Sequence, residues 1–376
     1  MKEIRSRLED SLSSSHIPVL DGLRAVAVFM VIIYHFGFER VPGAHGVMIF
    51  FVLSGFLITW LLLKENEKSG RVSLRAFYVR RVLRIFPAFY FYWMFLVAYL
   101  LLAGKQILWP HALSALLYTS NYYVALNGDP VNGFSHTWSL AIEEQFYLLW
   151  PALFLALRRN LTRMTAFLIC LIGAAWLHRA VLCVWLHADQ AYFYASFDTR
   201  IDQLMMGCVL AVLIRSGALK SFWEAISSSM FAPLLTLALL SVSMYFDFSL
   251  GFDYRDVVGF AVEPVLIAVL LVQLINLRST PLWSWLDGAI PSYLGRISYS
   301  LYLYQALTLH PVKRILSAEP LLLQLAAAIA VTIIVATASY YLVERPFLKL
   351  KMLWSKPRLQ TNAYFSSDAA CAPTSL

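Results

Sequence analysis

The stretch RAVAVFMVIIYH, Arg24 to His35, places ten apolar or aromatic residues between an arginine and a histidine. It belongs to a longer apolar run, about 17–38, which matches the roughly 20 residues that a membrane-spanning helix requires. Similar runs recur as far as residue 343 of the 376-residue chain, in which 60% of residues are hydrophobic and 14% are charged. A soluble chain of this size could not bury so much apolar surface. The sequence therefore predicts an all-α, polytopic membrane protein.

The number of crossings follows from span length and from the positions of basic residues. Ten segments are long enough to be candidates: 17–38, 44–63, 86–103, 138–157, 164–186, 201–214, 230–247, 258–276, 297–312 and 321–343. The segment HALSALLYTSNYYVAL (111–126) is short and polar by comparison. Ten spans gather most Lys and Arg on one side, whereas an eleventh would make both sides nearly equal, so the positive-inside rule favours about ten helices with both termini cytoplasmic.

The remaining chain divides simply around these spans. We expect a cytoplasmic N-terminal segment at 1–16, a transmembrane domain at 17–347, and a cytoplasmic, disordered tail at 348–376. The N-terminus lacks a signal peptide's apolar core and cleavage site, so the first span itself would direct insertion. The formal charge of +8 lies in short loops, which indicates orientation in a bilayer rather than nucleic-acid binding. The four cysteines have no metal-ligand spacing, and we predict no metal.

Arg24 and His35 are unusual residues for a span. Eleven residues advance a helix by about 1100°, or three turns, so both side chains share one face about 16 Å apart. Ionisable groups inside a span are costly and favour a polar pathway. The alternative is that Arg24 pairs with Asp21 and extends toward the membrane surface, while His35 sits at the opposite interface.

A second cluster of charge precedes the third span. Arg80, Arg81 and Arg84 stand at helical spacing in VRRVLRIFP. Guanidinium groups bind phosphate through paired donors, so this cluster suits an anionic, phosphate-bearing ligand. Orientation in the membrane and contact with anionic lipid explain the same residues without a ligand.

The stretch HTWSLAIEEQFYLLWP adds carboxylates at the start of another span. Ser139, Glu143 and Tyr147 fall on one helical face, so Glu143 could orient or balance a cation from another helix, or be an ordinary interfacial glutamate. Glu144 points about 100° away. In FFVLSGFLIT, the small residues Ser54 and Gly55 predict close helix packing rather than nucleophilic chemistry.

Taken together, these stretches form an ordered set. They resemble the motifs of the acyltransferase family 3 membrane proteins, in order LDGLRAVAVFMVIIYH, FFVLSGFLIT, RRVLRIFP, TWSLAIEEQFYLLWP, TRIDQLMMG, SYSLYLYQ and YYLVERP. Each motif alone is a weak pattern, but seven in one order, over about 17–347, make a specific signal.

The resemblance implies an integral O-acyltransferase of the bacterial inner membrane with no tightly bound cofactor. Such proteins transfer an acyl group, commonly acetyl, from cytoplasmic acyl-CoA to a hydroxyl. The acceptor is usually carbohydrate, such as lipopolysaccharide or peptidoglycan, and for some members a macrolide.

The family's motifs also imply site residues. The Arg-ten-His motif falls on Arg24 and His35, the Arg-x-x-Arg motif on Arg81 and Arg84, and the motif glutamate on Glu143. His35 would be the general base, Arg24 would hold donor charge, and Glu143 would balance a cation. Arg81 and Arg84, with Arg80 beside them, would bind CoA phosphates.

Two departures and one rival interpretation accompany the resemblance. Many members continue into an esterase-like SGNH domain, which we do not expect here, so the chain would act alone or with separate polysaccharide-assembly proteins. Gln305 stands where many members carry histidine, which argues against proton transfer at that position. The rival is a transporter whose path is lined by Arg24 and His35.

Overall fold

The chain folds into a bundle of helices. The computed structural model describes residues 12, 14 and 16–355, and over those residues every regular element is helical. The prediction of an all-α protein is confirmed. The α-helices are α1 (Pro18–Phe36), α2 (Gly43–Ser69), α3 (Leu74–Leu102), α4 (Trp109–Leu116), α5 (Ser120–Asn127), α6 (Thr137–Leu157), α7 (Leu161–Val184), α8 (Gln190–Ala195), α9 (Phe197–Ser216), α10 (Lys220–Ile226), α11 (Ala232–Leu250), α12 (Phe260–Leu277), α13 (Ala289–Arg296), α14 (Ser298–Ile315), α15 (Leu321–Ser339) and α16 (Arg345–Ser355).

Short irregular helices connect some of these elements. A helical turn at Phe252–Tyr254 and a π-helical segment at Arg255–Gly259 lead into α12, and a 3₁₀ turn at Ser284–Asp287 precedes α13. A second π-helical segment, Tyr340–Glu344, joins α15 to α16.

Eight helical stretches within the described residues are long and apolar enough to cross a membrane, so the protein is a multi-pass membrane protein. They are Pro18–Phe36, Gly43–Ser69, Leu74–Leu102, Thr137–Leu157, Leu161–Val184, Ala232–Leu250, Phe252–Leu277 and Leu321–Leu350. A ninth is obtained when the stretch Gln190–Ser216 is counted together with α10, from which it is bent by 111°.

Two of the ten predicted spans, 201–214 and 297–312, are not among these eight stretches. The first lies in α9, whose opening turns carry Asp198, Arg200 and Asp202. The second lies in α14, which ends in two basic residues. Segment 111–126 forms α4 and α5, eight residues each. Each is about 12 Å long, too short to cross, which agrees with the expectation that this segment does not span.

Close backbone packing holds the centre of the bundle together. Gly55 of α2 faces the backbone carbonyl of Leu204 in α9, and Gly207 of α9 faces the carbonyl of Val52. A Cβ at either glycine would collide with that backbone, so the small residues set the distance between α2 and α9. The apolar stretch of α2 is 83% buried, whereas that of α11 is 22% buried. Thus α2 is central and α11 peripheral.

The ends of α1 place its two ionisable residues. Pro18 occupies the first turn, where a missing N–H is tolerated. Gly37 ends the helix with φ = 119°, a conformation that favours glycine. Arg24 thus lies in the second turn of α1 and His35 in its last turn.

The predicted tail requires one correction. Residues 348–355 are helical rather than disordered, because α16 continues to Ser355 and packs along α3. Residues 356–376 and most of the segment 1–16 lie outside the described residues, so those predictions are not addressed by the structure.

Candidate active site

A cavity opens between α1, α2, α3, α6 and α14. The empty space within it, including the part that is open solvent, is about 750 Å³. Five ionisable side chains line it, three guanidinium groups and two carboxylates: Arg24, Arg81, Arg84, Glu143 and Glu144. The rest of the wall consists of hydroxyl, aromatic and aliphatic side chains. The structure thus brings charged residues from three of the sequence motifs to one site.

Arg24 enters this cavity from α1. Its Nη1 lies 3.5 Å from Oδ1 of Asp21, and Oδ2 of Asp21 lies 2.6 Å from Nε2 of His16. Arg24 therefore combines both predicted behaviours, since it contacts Asp21 weakly and also lines the cavity. Because this contact is long and involves only one nitrogen of a group with several N–H donors, the Arg24 guanidinium retains donors for a ligand.

A cation–π contact and two hydrogen bonds connect Arg81 to Glu143. The Arg81 guanidinium lies 4.1 Å from the centre of the Tyr147 ring, within cation–π range. The Tyr147 hydroxyl donates to Oγ of Ser54 at 3.0 Å, and Ser54 donates to Oε1 of Glu143 at 2.6 Å. The prediction of close helix packing is confirmed at Gly55, and Ser54 additionally holds the Glu143 carboxylate, which the sequence analysis did not predict.

The helical face predicted for α6 forms one side of the cavity. Ser139, Glu143 and Tyr147 all line it, as their spacing indicated. Glu144 also lines the cavity, although it stands on an adjacent part of the helix, and no hydrogen bond holds it within the described residues. Both glutamates therefore line the cavity, but among the described residues only Glu143 is held by a hydrogen bond.

Arg84 is balanced by a carboxylate that the sequence analysis did not single out. Arg84 interacts electrostatically with Arg24, Arg81 and Glu344. Glu344 lies in the π-helical segment after α15, is 4% exposed, and accepts a short hydrogen bond from Ser300 of α14. The signal in the sequence was the glutamate of YYLVERP, an acidic residue following an apolar run.

Arg80 lies apart from its two neighbours. It does not line the cavity, and its Nη2 contacts Oε2 of Glu65 at 2.9 Å. Consecutive helical residues point about 100° apart, which separates Arg80 from Arg81. Its geometry is that of an ion pair between the ends of α2 and α3.

His35 lies at the other end of α1. It does not line the cavity, and its exposed ring stands about 16 Å along the helix from Arg24. Its Nδ1 bonds the carbonyl of Val31 at 2.9 Å. Because a carbonyl only accepts, Nδ1 carries the hydrogen, and Nε2 of the neutral ring keeps a free lone pair. Asp129 and His310 interact electrostatically with the ring at this end.

The arrangement places two kinds of chemical group at opposite ends of α1. One end of α1 contributes to a cavity rich in guanidinium donors, which suits an anionic ligand that carries phosphate. The opposite end presents an imidazole nitrogen able to accept a proton. No group of three or more His, Cys, Asp or Glu side chains suited to a metal ion occurs in the part of the chain that the structure describes.

Comparison with known proteins identifies the family of the chain. A family profile described as an acyltransferase domain matches residues 17–341. The O-acetyltransferase OatA of Staphylococcus aureus (strain NCTC 8325 / PS 47) is 33% identical over 316 residues, covering 79% of this chain and 51% of that protein. The putative peptidoglycan O-acetyltransferase YrhL of Bacillus subtilis (strain 168) is 34% identical over 353 residues, covering 88% and 55%.

A third relative extends the match. The peptidoglycan O-acetyltransferase OatA of Listeria monocytogenes is 30% identical over 357 residues, covering 90% of this chain and 56% of that protein. The chain thus spans about half the length of the curated relatives that it matches. No solved structure matches the chain significantly.

Proposed function

The chain belongs to the acyltransferase domain family, and on that basis we propose that it is a membrane O-acyltransferase that moves an acetyl group from acetyl-CoA to a carbohydrate hydroxyl. The observation that carries the proposal is the cavity in which Arg24, Arg81 and Arg84 converge at one end of α1, with His35 at the other. An anionic donor and a hydroxyl acceptor need these two kinds of group.

Donor binding is assigned to the guanidinium groups of the cavity. The phosphates of CoA accept paired hydrogen bonds from arginine, and Arg81 is already oriented by the Tyr147 ring. Glu143 and Glu344 offset part of the positive charge, so that three guanidinium groups can lie together before a donor arrives. The positive-inside rule makes this end cytoplasmic, where acyl-CoA is available.

Acceptor activation is assigned to His35. Its Nε2 takes the proton of the acceptor hydroxyl while the oxygen attacks the thioester carbonyl carbon, so a C–O bond forms and the C–S bond breaks. The products are the acetyl ester and CoA thiolate, which takes the proton from His35 and leaves as the thiol, so that His35 returns to its free base. Arg24, at the other end of α1, holds an anionic part of the donor.

The acceptor class is taken from the relatives. Two of them are described as peptidoglycan O-acetyltransferases. We therefore assign a cell-wall polysaccharide as the acceptor and the cell membrane as the location. A lipopolysaccharide or a macrolide acceptor would use the same chemistry at His35.

Membranes that contain the protein test this proposal when incubated with acetyl-CoA and soluble peptidoglycan fragments. Free CoA thiol and the O-acetyl ester on the fragment are both measured, beside membranes lacking the protein and membranes with His35→Ala. We expect thiol and ester in equal amounts from the wild type and neither from His35→Ala. A transporter would give no ester with any acceptor offered, and that result would contradict the proposal.

A further inference from the structure

Glu144 lines the cavity without a hydrogen-bond partner of its own. It follows Glu143 on α6, and both side chains are partly exposed. Ser54 donates to Glu143 at 2.6 Å, whereas no side chain in the described part of the protein donates to Glu144. Arg81 interacts electrostatically with both glutamates. The Glu144 carboxylate is therefore free to accept a hydrogen bond from a molecule that enters the cavity.

Glu144 also lies near several tyrosine side chains. Consecutive helical residues point about 100° apart, so Glu144 and Glu143 face different parts of the cavity. Three hydroxyl groups that interact electrostatically with Glu144 come from α3, from the turn between α4 and α5, and from α14: Tyr90, Tyr118 and Tyr299. Glu144 therefore marks a part of the cavity where a carboxylate and aromatic rings lie together.

Tyr299 contributes an aromatic ring to the cavity wall. It lines the cavity and is partly exposed. Its hydroxyl donates to the backbone carbonyl of Ile85 on α3 at 3.2 Å. Because the hydroxyl is bonded to the backbone of another helix, the ring keeps a fixed position in the wall. A flat ligand can stack on such a ring.

Tyr118, which interacts electrostatically with Tyr299, has a strained backbone. Its φ is 54°, in the left-handed region that residues with a Cβ rarely adopt. Its ring stacks on Phe89 and Phe86, at 4.5 and 5.4 Å between ring centres. Strained residues persist where the surrounding packing enforces them, and they are common at functional sites. This aromatic part of the structure is therefore in place before a ligand binds.

A carboxylate next to an aromatic ring suits a flat heterocycle that carries an amino group. The heterocycle stacks on the ring, and the carboxylate accepts a hydrogen bond from the N–H, which fixes the orientation of the ligand. CoA carries such a group in its adenine base, which ribose joins to the phosphates assigned above to the guanidinium groups. Arg81, one of those groups, interacts with Glu144, so one cavity can bind the base and the phosphates.

We propose that Glu144 selects the adenine base of the donor, by accepting a hydrogen bond from its 6-amino group while the base stacks on Tyr299. This inference rests on the proposed function, since it takes acetyl-CoA as the donor. It gives two neighbouring carboxylates different tasks: Glu143 balances guanidinium charge, and Glu144 determines which base is accepted. A base that presents an oxygen instead of the amino group would bind more weakly, because two acceptors would then face each other without a proton.

The test compares acetyl-CoA with its deaminated analogue, in which a carbonyl oxygen replaces the 6-amino group of the base. The Kd of each donor is measured for the wild type, Glu144→Ala, Glu144→Gln and, as the matched control, Glu143→Gln. Melting temperatures in detergent show which variants fold. We expect the wild type to bind acetyl-CoA about 10- to 100-fold more tightly than the analogue. Glu144→Ala should bind acetyl-CoA more weakly by a similar factor and lose the preference.

The glutamine variants should separate the two carboxylates. Glu144→Gln keeps an oxygen that accepts from the amino group and gains an amide that can donate to the carbonyl of the analogue. Its acetyl-CoA Kd should stay within about threefold of the wild type, and its Kd for the analogue should fall to the same range. Glu143→Gln should weaken both donors equally and keep the preference, because it changes the charge that faces Arg81 and Arg24.

Two results would overturn the inference. One is a wild type that binds both donors equally, as expected if Glu144 contacts the amide groups of the pantetheine arm instead. The other is a preference that persists in folded Glu144 variants; if Glu144→Ala does not fold, Glu144→Gln decides. A wild type that binds neither donor defeats the proposed function as well, whereas a wild type that forms ester equally well from both donors defeats only the selection of adenine.

Discussion

At the residue scale, neighbouring side chains of one type have different partners. Arg81 and Arg84 line the cavity, whereas Arg80 pairs with Glu65. Likewise Glu143 is held by Ser54 at 2.6 Å, whereas Glu144 lines the same cavity without such a bond. Arg80 can therefore serve as the control for substitutions of Arg81 and Arg84, and Glu144 as the control for Glu143.

Arg81→Ala and Arg84→Ala should each weaken acetyl-CoA binding by about 10- to 100-fold, because a hydrogen bond to a charged group contributes about 1.5–3 kcal/mol. Arg80→Ala should change binding less than about threefold, since Arg80 does not line the cavity and its partly buried ion pair with Glu65 is a surface pair of the kind that contributes about 0–1 kcal/mol. Equilibrium binding of acetyl-CoA to the purified protein measures all three. A loss in Arg80→Ala as large as in Arg81→Ala would mean that the donor lies elsewhere.

Glu143→Gln should lower kcat/KM about 10- to 100-fold, because it removes the charge that faces Arg81 and Arg24 and weakens the bond from Ser54. Glu144→Gln keeps the cavity's shape and has no Ser54 bond to lose, so its kcat/KM should change less than about threefold. Initial rates of ester formation against acetyl-CoA concentration provide the comparison. Equal losses in both variants would contradict the role given to Glu143.

At the element scale, contacts between distant helices decide which residues share the site. The spacing of Ser139, Glu143 and Tyr147 was sufficient to predict their common face, because it depends only on helical geometry. The partnership of Arg84 with Glu344 was not predictable in this way, since 260 residues separate them and the contact depends on α3 packing near the segment after α15. The same holds for Arg80, whose partner comes from the end of another helix.

Polar contacts of the same kind explain why α9 is less apolar than a typical span. Arg179 of α7 pairs with Asp202 of α9 at 2.8 Å, and both are buried. Arg200 is fully buried with its guanidinium 3.9 Å from the centre of the Phe260 ring of α12. Charges that reduce the hydropathy of α9 thus face other helices rather than lipid.

Gly55→Ala should destabilise the fold, because its Cβ would collide with the Leu204 carbonyl of α9. Overpacking of this kind costs about 1–3 kcal/mol. Gly173→Ala is the control, since nothing lies within 4 Å of the position where its Cβ would stand. Melting temperatures in detergent should fall for Gly55→Ala and stay or rise for Gly173→Ala. An unchanged melting temperature in Gly55→Ala would contradict the close approach of α2 and α9.

At the scale of the whole molecule, the cavity and the candidate base lie toward opposite ends of one helix. Basic loops flank the cavity end, so we propose, following the positive-inside rule, that this end faces the cytoplasm. In that orientation His35, which interacts electrostatically with Asp129, would face the other side of the membrane. The sequence predicted this separation, because Arg24 and His35 stand eleven residues apart in one helix.

Cysteine labelling checks this orientation. In a variant without native cysteines, a membrane-impermeant maleimide applied to intact cells should label Lys105→Cys, in the loop after α3. It should not label Asn160→Cys, before α7, until the cells are opened. The reversed pattern would place the cavity on the outer side.

The most direct measurement uses sealed vesicles that contain the purified protein, with acetyl-CoA supplied outside and soluble peptidoglycan fragments trapped inside. The account predicts O-acetyl ester on the trapped fragments, little ester when both substrates are outside, and none with His35→Ala. Detergent that opens the vesicles should then permit reaction in either arrangement. Ester formed only when both substrates share one side would contradict transfer between the two ends of α1.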